Sequence, residues 1–393
     1  MDIFEKAYQY RTAKDMQEAG LYPYFLPLED TEGTEVVIDG HRVLMIGSNN
    51  YLGLTTDPRV RQAAKDALDR YGPSCTGSRF LNGTLKLHKE LEERLAVFMG
   101  KEAAVVFSTG FQVNLGVISS IVGRGDVVVA DKDDHASIVD GCRLSFGEVR
   151  RYNHNDMEHL DRVLSKIDDD TGILVVVDGV YSMGGDLAPL PEMIPIVKKH
   201  GARLMVDDAH SLGVMGGGRG TAHHFDVVDD VDLIMGTFSK SFASLGGVIA
   251  GDADVIHYIQ HTARSLIFSA SMPAPSVATV LAALDIIETE PEHVEHLWEI
   301  TERMRDGLNA MGYKTEPSVT PIIPIHIGTM ENTFMAWKMC YEAGLYTNAV
   351  VSPAVPPDKG LLRTSYMATH TNEQIDRALN ILGEVGKQLG LID

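Results

Sequence analysis

Five short apolar runs recur between segments of helical pattern: "AAVVF" (103–107), "DVVVA" (126–130), "GILVVVDG" (172–179), "ARLMVDD" (202–208) and "VDLIMG" (231–236). A strand that is apolar on both sides of its pleat has to be covered on both faces, and strands separated by helices return parallel to one another. The spacing therefore predicts an α/β fold whose large domain has a mostly parallel central sheet between helical layers. "GGVIAG" (246–251) extends that sheet. With 393 residues, 44% of them hydrophobic, the chain can bury a large core and more than one domain.

The flanks read differently. Residues 1–58 form an arm: an amphipathic helix ending at Gly20, the extended "LYPYFLPLED", and a hairpin "EVVIDGHRVLMIG" turning at Asp39-Gly40. Residues 59–290 make the large domain. A helical connector broken near Pro291 leads into a smaller α+β domain, 291–393, with strand-like "PIIPIHIG", "LYTNAVVSPAVP" and "LLRTSYMA".

The formal net charge of -21, with no basic cluster, argues against a nucleic-acid partner. Cys75, Cys142 and Cys340 are odd in number and far apart, which suggests neither a disulfide framework nor a paired-cysteine metal site and fits a reducing cytoplasm. The charged, periodic N-terminus has no leader pattern, and no apolar run is long enough to span a bilayer. A soluble, cytoplasmic protein is expected, and a peripheral contact with the inner membrane stays compatible with it.

In open α/β sheets ligands gather beyond the carboxyl ends of the strands. After "AAVVF" comes "STGFQVN", where Gly110 admits close backbone approach and the following residues open a helix whose free amides suit a phosphate. After "DVVVA" comes His135, able to stack on a flat ring or to shuttle protons. Asp178 and Ser182 follow the third run. Asp207 closes the fourth, with His210 three residues on; a carboxylate there can hold a ring nitrogen protonated. These two could also bind a metal, but no third ligand accompanies them and no metal is expected. The fifth run leads into "TFSKSFASLGG". A partly desolvated Lys240 at a strand end is a competent amine nucleophile for a carbonyl, Thr237 and Ser239 can donate to a phosphate, and Gly246 and Gly247 leave room for it.

Taken in order, "NNYLGL" (49–54), "GSRFLNGTLKLHKELE" (77–92), "STGFQVN", "DDHASI", "DGVYSMGGD" (178–186), "VDDAHSLGVMGGGRG", "TFSKSFASLGG" and "LLRTSYMATHT" (361–371) resemble the α-oxoamine synthase family almost end to end. These are pyridoxal 5'-phosphate (PLP) enzymes of the aspartate aminotransferase fold that join an amino acid to an acyl-CoA with loss of carbon dioxide. The resemblance implies that Lys240 holds PLP covalently and serves as the base at the substrate's α-carbon. Asp207 would pair with the ring nitrogen, His210 with the ring hydroxyl, and His135 would stack on the ring. Gly110, Phe111, Thr237 and Ser239 would hold the phosphate, with Ser182 close by. Arg363, helped by Asn50, would bind the substrate carboxylate.

Within the family, "AGLYPYFLPLE", "GSRFLNGTLKLH" and "RSLIFSASMP" are most similar to members that condense L-serine with palmitoyl-CoA to 3-oxosphinganine. Phe80, Leu81, Ile267, Phe268 and Met272 are candidates for an acyl tunnel, or else ordinary core. The "HT" that ends "RTSYMATHT" is similar to short-chain relatives instead, so glycine with acetyl-CoA is the alternative pair. A non-catalytic subunit of the same fold is a third reading, against which Lys240 weighs. The family resemblance also implies a homodimer.

Overall fold

The computed structural model describes residues 2–31 and 33–393. In chain order the strands are β1 (Leu28–Asp30), β2 (Glu35–Ile38), β3 (His41–Met45), β4 (Ala103–Phe107), β5 (Val127–Asp131), β6 (Glu148–Tyr152) and β7 (Ile173–Asp178). They continue with β8 (Arg203–Asp207), β9 (Leu233–Thr237), β10 (Gly247–Gly251), β11 (Ile322–Gly328), β12 (Leu345–Tyr346), β13 (Asn348–Val350) and β14 (Gly360–Ser365). The chain divides into two compact units, one of residues 49–298 with 319–321, the other of the remaining N- and C-terminal segments.

In the first unit seven strands form one sheet in the order β4-β10-β9-β8-β7-β5-β6. Strands β5 to β9 run parallel, each apolar run buried on both faces as the sequence requires. β10 runs antiparallel to both β9 and β4. The cause is the connection: β9 and β10 are joined by the Lys240 loop alone, too short for the crossover that a parallel return needs. The strand β6 has no apolar run to announce it. It lies at the sheet edge with only Tyr152 buried, and Glu148, Arg150 and Arg151 guard the exposed edge.

Two helices carry site residues: α1 (Gly110–Ile121) and α2 (Ala136–Leu144). Val113, Val117 and Ile118 of α1 and Ile138 and Cys142 of α2 pack in one core with Val128, Val176, Met205 and Met235 of the sheet. The second unit holds a four-stranded sheet, β1-β2-β3-β12, and a three-stranded antiparallel sheet, β11-β14-β13. Ile38 pairs with His41 across a two-residue turn in which Asp39 and Gly40 both take positive φ, 49° and 72°. The expected N-terminal helix is two shorter ones, Glu5–Tyr8 and Thr12–Glu18, neither burying a residue.

Candidate active site

The carboxyl ends of β4, β5, β7, β8 and β9 bring Gly110, Phe111, His135, Asp178, Ser182, Asp207, His210, Thr237, Ser239 and Lys240 around one cavity of about 290 Å³. Thr109, Ser137, Ala209, Met235, Leu245 and Gly246 complete its wall. That is the low end of the roughly 300–1,000 Å³ usual for small-molecule sites.

Lys240 is displayed by the loop between β9 and β10. Phe238 and Phe242 are fully buried, their rings 5.7 Å apart edge to face, and pin the loop to the core. Backbone bonds from Phe238 N to Gly246 O (2.9 Å), Ser244 N to Phe238 O (2.9 Å) and Ala243 N to Lys240 O (3.0 Å) close it. Ser239 and Lys240 line the cavity as a result. Thr237 Oγ1 lies 3.0 Å from Ser239 Oγ and donates to Gly246 O at 3.1 Å.

Opposite stands the N-terminus of α1. Thr109 caps it, its hydroxyl accepting from Gln112 N at 3.2 Å, while the amides of Gly110 and Phe111 lie where no intrahelical acceptor reaches. A side chain on Gly110 would put its Cβ 2.6 Å from Thr237 Oγ1, so only glycine lets the two donor groups stand this close. Gly246, with φ of 126°, is similarly confined by Met272 Sδ.

Asp207 is 3% exposed. Its carboxylate accepts from Ala209 N at 2.9 Å and from Asn114 Nδ2 at 2.6 Å. His210 Nδ1 lies 2.7 Å from the hydroxyl of Tyr51, a residue of "NNYLGL" to which the sequence pattern assigns no role. His135 caps α2, and its backbone N–H donates to Asp178 Oδ2 at 2.8 Å. Its ring opens to the cavity and is exposed there, yet the surrounding protein still disfavours the charged form: burial first, then the Lys240 ammonium, outweigh the pull of Asp207 and hold its pKa below the ordinary value. Asp178 and Asp134 are pushed well above the usual carboxylate range, by burial first and by neighbouring aspartates next. Asp134 Oδ1 accepts from Asp178 N at 3.0 Å, so this pair ties the β5–α2 loop to the end of β7.

The model of class I and II aminotransferases matches residues 41–382. The chain belongs to that family, as an α-oxoamine synthase. It is 54% identical over 387 residues to a serine palmitoyltransferase of Sphingobacterium spiritivorum, covering 98% of this chain and 97% of that one. An 8-amino-7-oxononanoate synthase of Symbiobacterium thermophilum is 42% identical, covering 96% and 97%. Among solved structures, serine palmitoyltransferase from S. paucimobilis with bound PLP-myriocin aldimine superposes with a TM-score of 0.97 at 38% identity, covering both chains completely.

Not every residue singled out in this α-oxoamine synthase lies on the cavity wall. Asn50 and Arg363 do not line it. Asn50 Nδ2 donates to Thr55 Oγ1 at 2.8 Å; Arg363, 5% exposed, sits mid-strand in β14, with Nη1 3.5 Å from Ser365 Oγ. Phe80, Leu81, Ile267, Phe268 and Met272 are also absent from it. Met272 is core, whereas Phe80, Leu81 and Phe268 are exposed. The "HT" of the C-terminal motif has a purely internal explanation. His370 is fully buried, accepting from Met367 N at 2.9 Å and donating to Met45 O at 3.1 Å, while Thr371 caps the last helix.

Proposed function

We propose that this chain condenses L-serine with palmitoyl-CoA, giving 3-oxosphinganine, CoA and carbon dioxide, with PLP as its cofactor. The observation that carries the chemistry is the convergence of Lys240, Asp207, His135 and His210 with the α1 amides and two hydroxyls on one cavity. Its donor set fits PLP: an amine for the aldehyde, a buried carboxylate for the ring nitrogen, and the Gly110–Thr237–Ser239 cradle for a phosphate. When bound, PLP supplies a carbonyl for amines to condense with and an electron sink that acidifies an amino acid's α-carbon. The choice of serine and a long acyl chain is supported by serine palmitoyltransferases at 43–54% identity, against 42% for an 8-amino-7-oxononanoate synthase.

Lys240 Nζ would hold the cofactor covalently and, when free, would serve as the base for the substrate's α-proton. Asp207, whose carboxylate accepts from two N–H donors, would pair with the ring nitrogen. His210, oriented by Tyr51, would bond the ring hydroxyl. By the family resemblance Arg363, helped by Asn50, would bind the carboxylate, the guanidinium being suited to a bidentate pair, although neither lines the cavity. The balance is simple. Two bonds form at the α-carbon, one to the thioester carbonyl and, after carbon dioxide leaves, one to the proton that Lys240 returns; the α-C–H bond, the C–S bond and the bond to the carboxylate break, and the departing thiolate takes its proton from solvent.

The test is CoA release by PLP-loaded protein across L-serine, glycine and L-alanine, each with acetyl-, pimeloyl- and palmitoyl-CoA. Turnover confined to L-serine with palmitoyl-CoA is expected; turnover with glycine and acetyl-CoA would move the chain to the short-chain reaction. The protein is further read as a cytoplasmic homodimer, the exposed Phe80, Leu81 and Phe268 being surface that a second copy would cover. Light scattering should give twice the chain mass; a monomer with full turnover removes that reading. Among the described residues no helix is long and apolar enough to cross a membrane. A peripheral contact with the inner membrane is part of the same reading, and flotation with vesicles would detect it.

A further inference from the structure

Asp207 and His135 come from different strands, yet a hydrogen-bond path runs between them through two side chains with no assigned role. Asn114 Nδ2 lies 2.6 Å from Asp207 Oδ2 and 2.8 Å from Ser137 Oγ. Ser137 Oγ lies 2.7 Å from His135 Nδ1, and Ser137 N lies 3.2 Å from the same nitrogen. Asn114 is 0% and Ser137 2% exposed, so water does not compete for these bonds. The approach of α1 to α2 that permits them depends on Gly141: a Cβ there would fall 2.8 Å from Asn114 O.

The direction of every bond follows from groups that can only donate. A backbone N–H donates to His135 Nδ1, so Nδ1 carries no proton and the ring proton is on Nε2. The Ser137 hydroxyl must then also donate to Nδ1. Its oxygen accepts from the Asn114 amide, whose second N–H goes to the Asp207 carboxylate. Turning the amide over would set its oxygen against the carboxylate and Ser137 alike.

We propose that Asn114 and Ser137 are positioning residues that join Asp207 to His135 in one directional hydrogen-bond chain, and that this chain fixes His135 as the neutral Nε2–H tautomer. His135 then offers the cavity a hydrogen-bond donor at Nε2 and has no basic nitrogen with which to take the α-proton, which leaves that task to Lys240. Asn114 Oδ1, buried without a partner among the described residues, is the cost of turning both amide hydrogens to the chain.

This inference rests on the reading above for the roles of Asp207 and His135, and it fails separately from it: CoA release decides the reaction, ring-nitrogen resonances decide the chain. In PLP-loaded protein labelled with 15N-histidine, the His135 signals are those lost in His135→Gln. They should show an unprotonated Nδ1 and a protonated Nε2. Ser137→Ala, which keeps the backbone donor, should retain that tautomer but move the Nδ1 resonance. Asn114→Ala should shift the His135 signals in the otherwise native chain and leave them unmoved when residue 137 is already alanine. A proton on Nδ1 in the native protein overturns the proposal, even if the Asn114 variant does not fold. So does an Asn114→Ala shift that is absent, or equal in both backgrounds.

Discussion

At Lys240 the chemistry reduces to one amine on a pinned loop. After borohydride reduction of PLP-loaded protein, the native chain should gain the mass of one cofactor and Lys240→Ala none, although the Gly110, Thr237 and Ser239 cradle still binds the phosphate. A mass gain in the variant would assign the link to another lysine. Arg363 invites a second substitution. Arg363→Lys keeps the charge but loses the planar fork, and a lost bond to a charged group is worth about 1.5–3 kcal/mol. We expect kcat/KM for L-serine to fall by on the order of 10–100-fold, mainly through KM, with the cofactor's absorbance unchanged. Steady-state kinetics at saturating palmitoyl-CoA measures this, and a fall in kcat alone would contradict ground-state carboxylate binding.

The loop 77–84 shows how an element can be built rigid from buried charge. Arg79 and Glu92 are paired at 2.8 Å with side chains 6% and 5% exposed. Arg79 also donates to Val106 O at 3.2 Å and Thr84 Oγ1 at 3.1 Å, and Glu92 accepts from Val106 N at 3.0 Å. Helix Lys86–Phe98, the loop and β4 are thus held at one point. Glu92→Gln preserves shape but strands a buried guanidinium, which should lower stability by about 3–5 kcal/mol, read as a fall in the urea midpoint. An unchanged midpoint would mean that Thr84 Oγ1, Val106 O and solvent are enough to hold the guanidinium. The same element bears on what the sequence could reveal. The apolar runs announce the buried parallel strands because both faces are covered, whereas β6 escapes notice because an edge strand needs little apolar surface. Nothing in "GSRF" marks Arg79 as buried; the fold does.

Across the whole molecule, histidines set opposing dependences on pH. Burial alone would depress His154, but its bonds to Asp131 at 3.1 Å and Asp186 at 2.8 Å outweigh this and raise its pKa to about 10. A folded pKa above the unfolded value of about 6.5 gives stability that is complete below that value and lost as pH rises through about 10. The difference in urea midpoint between native protein and His154→Gln should therefore shrink across that window. His88 and His370 act oppositely, burial holding each at about 4. Their contribution is present above about 6.5 and lost as pH falls toward about 4. A native protein whose stability was flat over that acid range would show that neither histidine resists protonation in the fold.

The sequence by itself determined the layered α/β plan and the strand ends at which Lys240, Asp207, His210, His135 and Gly110 fall. Local pattern suffices for this, because two-sided burial writes itself into consecutive apolar residues and the residues that follow inherit one edge of the sheet. It also revealed the Asp39-Gly40 turn, which needs only two backbone angles. What the tertiary structure alone decided are relations between residues far apart in the chain: Tyr51 on His210, Asp134 on Asp178, Asn114 and Ser137 between Asp207 and His135, and His370 as a buried cross-link to Met45. An asparagine on a helix and a serine after a histidine carry no signal of their own. They acquire one only when Gly141 lets two helices close to the distance of a hydrogen bond.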